Sequence, residues 1–168
     1  KIYGILNGTS NYILSSMDKE NLEYKDSLSK AKKLGYAESN PAADINGDDV
    51  ASKLKILTAL AFNSYIDNKP ILVEGIKNID QTDIYNANQL GYKIKLIGIA
   101  ELKNNKIIQR VHPALIQQNS YIGKINGVLN AVIIESNPVG KTVLQGEGAG
   151  PGPTTSSLVS DLCSILRG

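Results

Sequence analysis

The stretch Tyr92-Lys-Ile-Lys-Leu-Ile-Gly-Ile-Ala-Glu-Leu-Lys-Asn-Asn-Lys-Ile-Ile-Gln-Arg-Val-His112 is the place where the hydrophobic pattern of this 168-residue chain changes its period. Apolar residues upstream recur at helical spacing, whereas those within the stretch fit a pleated strand. Asn104-Asn105 interrupts the stretch with residues typical of a tight turn. We therefore predict a β-hairpin with strands over 92–102 and 106–112, and a second hairpin over 128–135 and 142–144.

Outside the two hairpins the chain is predicted to be mainly helical. The clearest helix starts at Asp48 or Asp49 and runs to about residue 62, because its apolar residues keep one stripe at the period of a helix. Gly35 and Gly91 follow two further helical patterns and are natural left-handed caps. The remaining predicted elements are a strand over 1–6, helices over 9–17, 24–34, 80–90 and 154–166, a strand over 71–73, and an irregular stretch over 35–47.

This order of elements predicts the fold class. Helices first, hairpins later and one closing helix favour an α+β fold, in which helices pack on one face of a mostly antiparallel mixed sheet in a single domain over 1–168. The composition, 42% hydrophobic and 20% charged, is that of one soluble globular domain. The net charge of +2 comes from interspersed charges, so we expect no nucleic-acid or membrane partner. The apolar runs are much shorter than the roughly 20 residues that span a bilayer.

The two ends of the chain carry further signals. The N-terminal residues lack both an initiator Met and the pattern of a signal peptide, which suggests that the chain continues upstream. The single cysteine, Cys163, cannot form an internal disulfide. It lies at helical spacing from apolar neighbours, so we expect Leu158, Cys163 and Leu166 to face the core, with a reduced thiol in a cytoplasmic protein.

The densest polar cluster spans residues 38–53. Within it, Asp49 and Lys53 are four residues apart and share one face of the predicted helix. An isolated pair of this kind is normally an exposed ion pair of small effect, so its role depends on its context.

That context is a resemblance to a known family. The segments 35–38 (Gly-Tyr-Ala-Glu), 44–47 (Asp-Ile-Asn-Gly) and 49–53 (Asp-Val-Ala-Ser-Lys) together resemble the signature of the homoserine dehydrogenases. Further segments resemble the same family in the same order: 4–14, 111–115, 128–132 and 146–150 with Pro153-Thr154. The resemblance covers nearly the whole chain.

The resemblance implies reversible hydride transfer between L-homoserine and NAD or NADP, which gives L-aspartate 4-semialdehyde in the biosynthesis of threonine, methionine and isoleucine. It implies that Lys53 is the catalytic acid/base and that Asp49 holds the hydroxyl or orients the lysine. An amine suits this task once burial or a neighbouring cation lowers its pKa towards neutrality. Glu38 is implied as the ligand of the substrate's ammonium. The other implied substrate contacts are Asp44, Thr9 and the amides around Gly8.

The Gly-rich segment 146–153 matches neither the dinucleotide fingerprint nor a P-loop. It is either a mobile turn or a close contact with the nicotinamide half of the cofactor, and the resemblance favours the contact, through Gly148, Ala149 and Gly150. The sole histidine, His112, is placed at a strand end and assigned a structural role. Its surroundings offer no metal-site spacing, and we expect no metal site.

A βαβ unit for the nucleotide is missing from the sequence. The resemblance implies that an N-terminal Rossmann nucleotide-binding domain lies upstream of Lys1, together with a second active-site lysine and a monovalent-cation site. We therefore expect this chain to be inactive alone, to leave an apolar face of its closing helix uncovered and to form a homodimer through its hairpins. The alternatives are a non-catalytic amino-acid-binding or dimerisation module of the same fold, and a dehydrogenase of another amino acid.

Overall fold

A six-stranded mixed sheet organises the computed structural model, which describes residues 1–65 and 70–167. The strand order is β2-β4-β3-β1-β5-β6, and only the β2–β4 pair is parallel. The predicted α+β class with a mostly antiparallel sheet is confirmed. The strands are β1 Ile2–Ile5, β2 Leu72–Val73, β3 Tyr92–Lys103, β4 Lys106–Gln117, β5 Leu129–Ser136 and β6 Gly140–Glu147.

The first strand lies at the centre of the sheet. β1 pairs with β3 on one side and with β5 on the other, so Gly4 lies opposite both Gly98 and Val132. The chain leaves this central strand through Leu6 and Asn7 and enters the first helix. The position of that exit is therefore fixed by pairing with two distant hairpins.

The helices supply the main core on one side of the sheet. They are α1 Gly8–Glu20, α2 Tyr24–Lys33, α3 Ala42–Asn46, α4 Asp48–Phe62, α5 Gln81–Gln89 and α6 Pro151–Arg167, with a short 3-10 helix at Ile122–Lys124. Ile13 and Met17 of α1 and Leu54 of α4 are fully buried in this core. Burial of each such side chain contributes roughly 1.5–3 kcal/mol to folding. A smaller apolar cluster includes Ile97 and Ile122.

Local signals explain several element boundaries. Asn104 and Asn105 have φ angles of 50° and 56°, which is the backbone that a two-residue hairpin turn needs, and the predicted hairpin is confirmed. Asp80 caps α5 in a capping box with Asp83. The second predicted hairpin is present as β5 and β6.

Two predictions for element boundaries, one over residues 35–47 and one at His112, are wrong. The stretch 35–47 is not wholly irregular, because it contains the short helix α3. His112 does not lie at a strand end, because β4 continues through Pro113 to Gln117. Pro113 is tolerated there, because β2 pairs with β4 only at Arg110 and Val111, and none of the described strands pairs with the outer side of β4 at Pro113.

The prediction that one side of the closing helix packs in the core is wrong. Cys163 is exposed, and α6 has no buried residue among those described, so the expectation that Leu158, Cys163 and Leu166 face the core is wrong. The physical reason is that none of the described residues covers the apolar face of α6, so Leu158, Leu162 and Leu166 stay exposed. In the described part of the chain, none of the helices combines the length and the apolar character that a bilayer span needs.

A buried lysine links the sheet to α1. Lys95 is 2% exposed, and its Nζ donates to Asn11 Oδ1 at 3.0 Å, to the carbonyl of Ile125 and to Asn126 Oδ1 at 3.3 Å. Burial lowers the pKa of Lys95 from its usual 10.5 to about 8, although the nearby Asp18 carboxylate opposes this shift. The ammonium thus holds α1 and the segment before β5 together, at a cost in desolvation.

We expect Lys95 to make the free energy of unfolding rise with pH between about 8 and 10.5. In this window the unfolded chain keeps the proton on Lys95 and the folded chain releases it, so stability increases with pH. At about pH 9.5 the gain is about 2 kcal/mol, since each pH unit above 8 contributes about 1.4 kcal/mol. Denaturant titrations at about pH 7.5 and about pH 9.5 measure it, with Lys95→Met as the reference. An identical pH response of the parent and Lys95→Met would contradict this expectation.

Candidate functional site

One cavity of about 580 Å³ collects the predicted site residues from three parts of the chain. The first part is the exit from β1 into α1, the second runs from the end of α2 into α4, and the third is the connection around β5, β6 and α6. The structure brings all nine predicted residues to the wall of this cavity: Gly8, Thr9, Glu38, Asp44, Asp49, Lys53, Gly148, Ala149 and Gly150.

Asp49 and Lys53 form an ion pair on α4 at the cavity wall. Lys53 Nζ donates to Asp49 Oδ2 at 2.7 Å and to the carbonyl of Leu6 at 3.3 Å. The side chain of Lys53 is 46% exposed and that of Asp49 is 29% exposed. Burial, one of the two conditions expected to activate this amine, is therefore not provided by the described residues, and its close charged partner is a carboxylate.

Asn7 connects the two aspartates of the site. Its Nδ2 donates to Asp44 Oδ1 at 2.6 Å and to Asp49 Oδ2 at 2.9 Å. Its Oδ1 accepts from the backbone N–H of Ser10 at 2.8 Å and so caps α1. Asn7 is 5% exposed. One buried amide therefore joins the start of α1 to acidic residues of α3 and α4.

The loop after α2 carries Glu38 to the cavity. Thr9 Oγ1 donates to the carbonyl of Tyr36 at 2.6 Å, which fastens the loop to the first turn of α1. The Tyr36 ring lies against the Tyr12 ring, with 4.9 Å between the centroids. Glu38 itself is exposed. Its backbone is thus anchored while its carboxylate stays accessible to a ligand.

The Gly-rich connection between β6 and α6 passes beside Asn130. A Cβ atom on Gly148 would lie 2.8 Å from Asn130 Cγ, so a larger residue there requires the Asn130 side chain to move. Asn130 Oδ1 is buried, and no described residue donates a hydrogen bond to it. The connection therefore offers close backbone approach to a bound group, beside a buried acceptor that has no donor among the described residues.

The charge of the cavity is strongly negative. Four carboxylates line it, from Glu38, Asp44, Asp49 and Glu147, against the single ammonium of Lys53 among the residues described. The formal balance is −3. Such a wall favours a ligand that carries a cationic group.

Asn7, Asn130 and Glu147 also line this cavity and were missed as site residues. A signal existed for each, because all three lie inside segments that resemble the family. Their local sequence did not mark them as site residues, since an asparagine before a helix is an ordinary cap.

His112 does not line the cavity, and its Nδ1 lies 2.9 Å from the carbonyl of Pro113. A second cavity of about 390 Å³, between α5 and the β3–β4 hairpin, contains none of the predicted site residues.

Comparison with known proteins agrees with the resemblance in the sequence. Residues 1–163 match the model of a protein family described as homoserine dehydrogenase. A homoserine dehydrogenase of Helicobacter pylori is 47% identical over 164 residues, which cover 98% of this chain and 39% of that protein. A homoserine dehydrogenase of Synechocystis is 42% identical over 169 residues, with the same coverage.

Solved structures show the same likeness in the fold. The crystal structure of a homoserine dehydrogenase from Thiobacillus denitrificans matches with a TM-score of 0.95 and 44% identity, over 99% of this chain and 38% of that chain. A hyperthermophilic archaeal homoserine dehydrogenase mutant in complex with NADPH matches with a TM-score of 0.77 and 27% identity, over 99% and 47%. The chain spans about two fifths of the length of the curated relatives it matches. By its sequence and its fold, this chain belongs to the homoserine dehydrogenase family.

Proposed function

We propose that this chain is the substrate-binding and catalytic part of a homoserine dehydrogenase, which interconverts L-homoserine and L-aspartate 4-semialdehyde with NAD or NADP. The observation that carries the proposal is that one acidic cavity is lined by all nine residues that the family resemblance selected. A role in the biosynthesis of threonine, methionine and isoleucine, and a cytoplasmic location, belong to the same proposal and are supported by the family alone.

The acidic wall binds the amino acid. Glu38 is accessible and uncommitted among the described contacts, so its carboxylate accepts hydrogen bonds from the substrate's ammonium. Asp44 adds negative charge beside it, with Oδ1 held by Asn7. Thr9 and the amide of Gly8 lie in the first turn of α1, where backbone N–H groups point towards an anionic group such as the substrate's carboxylate.

Lys53 moves the hydroxyl proton. As an ammonium it donates to the aldehyde oxygen during reduction, and as an amine it takes the proton from the alcohol during oxidation. Asp49, at 2.7 Å, fixes the position of Nζ before the transfer. The side chain of Lys53 is 46% exposed and lines the cavity, so Nζ is accessible to a substrate bound there.

The Gly-rich connection holds the nicotinamide half of the cofactor. Gly148, Ala149 and Gly150 line the cavity, and the two glycines allow the backbone to approach a flat ring. When bound there, the nicotinamide supplies the acceptor or donor of the hydride at the alcohol carbon. NADPH is bound by the archaeal relative, which supports a nicotinamide cofactor without deciding between NAD and NADP.

The proposal requires a nucleotide-binding part, since none of the described elements forms the βαβ unit that holds a dinucleotide. We call this chain together with such a part the assembled enzyme. A Rossmann domain N-terminal to Lys1 and a homodimer formed through the hairpins complete the proposal. The uncovered apolar face of α6 is consistent with a contact outside this chain.

Formation of reduced nicotinamide, followed by absorbance, tests the reaction when the assembled enzyme receives L-homoserine with NAD or NADP. The alternative, a non-catalytic amino-acid-binding or dimerisation module, is favoured by the exposure of Lys53 and predicts binding without turnover. Turnover of another amino alcohol in preference to homoserine would indicate a different amino-acid dehydrogenase.

We expect Glu38→Gln to raise the KM for L-homoserine by roughly tenfold to a hundredfold, the range for loss of one charged hydrogen-bond partner. For 4-hydroxybutyrate, which lacks the amino group, the variant and the parent should differ little, because the lost interaction is absent from both. Glu23→Gln, an exposed change at the start of α2 outside the cavity, is the matched control. An unchanged KM for homoserine in Glu38→Gln would remove Glu38 from the ammonium site.

A further inference from the structure

Asn7 makes contacts that a helix cap alone does not need. We propose that Asn7 is a positioning residue, whose amide holds Asp49 in place while Lys53 exchanges its proton with the substrate. The inference rests on the proposed function and assigns a part in it to Asn7. It is carried by the two hydrogen bonds from one buried amide to Asp44 and Asp49.

The orientation of the amide follows from the cap. Asn7 Oδ1 accepts from the backbone N–H of Ser10 at 2.8 Å. The opposite orientation would place the amide N–H groups against that donor and the amide oxygen against two carboxylates, so it is disfavoured at every contact. Asn7 therefore directs both of its amide protons at the aspartates, one proton to each.

Asp49 Oδ2 accepts hydrogen bonds from two donors, and only one of these bonds persists throughout the proposed reaction. Lys53 Nζ donates at 2.7 Å and Asn7 Nδ2 donates at 2.9 Å. The bond from Lys53 weakens whenever the amine turns to the substrate or loses its proton. The bond from Asn7 stays, because Asn7 is buried and fixed by the helix start. Asp49 thus keeps the position to which Lys53 returns in each turnover.

A neutral donor suits this place better than a charged one. The amide satisfies one oxygen of Asp44 and one of Asp49 without neutralising either carboxylate. Asp49 Oδ1 accepts no hydrogen bond from any described residue and remains available to the substrate hydroxyl. A lysine or arginine at position 7 would cancel part of the negative charge that the proposed ligand needs.

The test exchanges Asn7 for other good caps. Serine and aspartate both cap helices about as well as asparagine, so Asn7→Ser and Asn7→Asp keep the start of α1. Serine removes both amide donors, and aspartate also adds a third carboxylate beside Asp44 and Asp49. In the assembled enzyme we expect kcat for L-homoserine to fall about tenfold in Asn7→Ser and further in Asn7→Asp, with the KM for the nicotinamide cofactor within about twofold of the parent.

The control is Asp80→Asn. This variant changes the N-cap of α5 from aspartate to asparagine, the reverse of Asn7→Asp, at a position away from the cavity, and it should leave kcat unchanged. Full activity in Asn7→Asp would show that Asn7 acts only as a cap, and would overturn the inference while the proposed function stands. Equal losses for homoserine and cofactor would indicate a general disturbance and also overturn it. A parent enzyme without turnover of homoserine overturns the proposed function, and this inference with it.

Discussion

Replacement of Lys53 by alanine is expected to lower kcat for L-homoserine by about a thousandfold in the assembled enzyme. Lys53 carries the only basic side chain on the described wall of the cavity, and Asp49 holds its Nζ at 2.7 Å. Removal of the amine leaves the hydroxyl proton without its acceptor, whereas the acidic residues that bind the substrate remain. Initial rates in both directions of the reaction measure the effect, and the KM for homoserine should change much less than kcat.

Lys53→Arg distinguishes the role of Lys53 in proton transfer from the role of its positive charge, and Lys55→Ala is the control. Lys53→Arg keeps a cation beside Asp49 but does not release a proton near neutral pH, so it should be nearly as inactive as Lys53→Ala. Lys55→Ala removes a lysine from the same helix outside the cavity and should retain activity. Retention of more than about a tenth of the parent kcat in Lys53→Ala, against the usual hundredfold or greater effect, would show that another group transfers the proton.

Gly4→Ala is expected to lower the free energy of unfolding by about 4 kcal/mol or to prevent folding. Gly4 lies in the central strand, where an added Cβ would collide with the carbonyl of Ala131 and lie 2.9 Å from Val132 Cα. Both obstacles are backbone atoms of β5, so no side chain can turn aside to make room. The loss should exceed the usual range of about 1–3 kcal/mol for overpacked cores.

Gly146→Ala is the matched control for this substitution. Gly146 lies in β6, and a Cβ there meets open space, so the change should be neutral or slightly stabilising. Chemical denaturation of both variants measures the difference. A loss of less than about 1 kcal/mol in Gly4→Ala would mean that β1 and β5 separate at little cost, contrary to the usual rigidity of packed interiors.

The sequence predicted most elements because their signals are local. The Asn104-Asn105 turn, the apolar stripe of α4 and the glycine after α2 each act within a few residues. The strand order had no such signal, since β1 pairs with strands about a hundred residues away. The burial of Lys95 was equally invisible, because the alternation of Lys93, Ile94, Lys95 and Leu96 is also that of a strand with one solvated face.

The candidate site was predicted as a set of residues, and the structure adds how they are held. The family resemblance selected Asp44, Asp49 and Lys53, but the amide of Asn7 that joins the two aspartates depends on three helix starts meeting in space. The error at Cys163 has a related cause. An apolar helical stripe predicts that a helix packs against something, but it does not say whether that surface lies in the same chain.

The central position of β1 also has a consequence for synthesis on the ribosome. β1 is made before the other five strands of this sheet, yet its pairing with β5 requires residues 131–134. At roughly 5–20 residues per second, the strand waits on the order of ten seconds for this partner. During that time its unpaired edge is open to incorrect pairing. The segment that carries Asn7 and Gly8 therefore reaches its final place only after the second hairpin has left the ribosome.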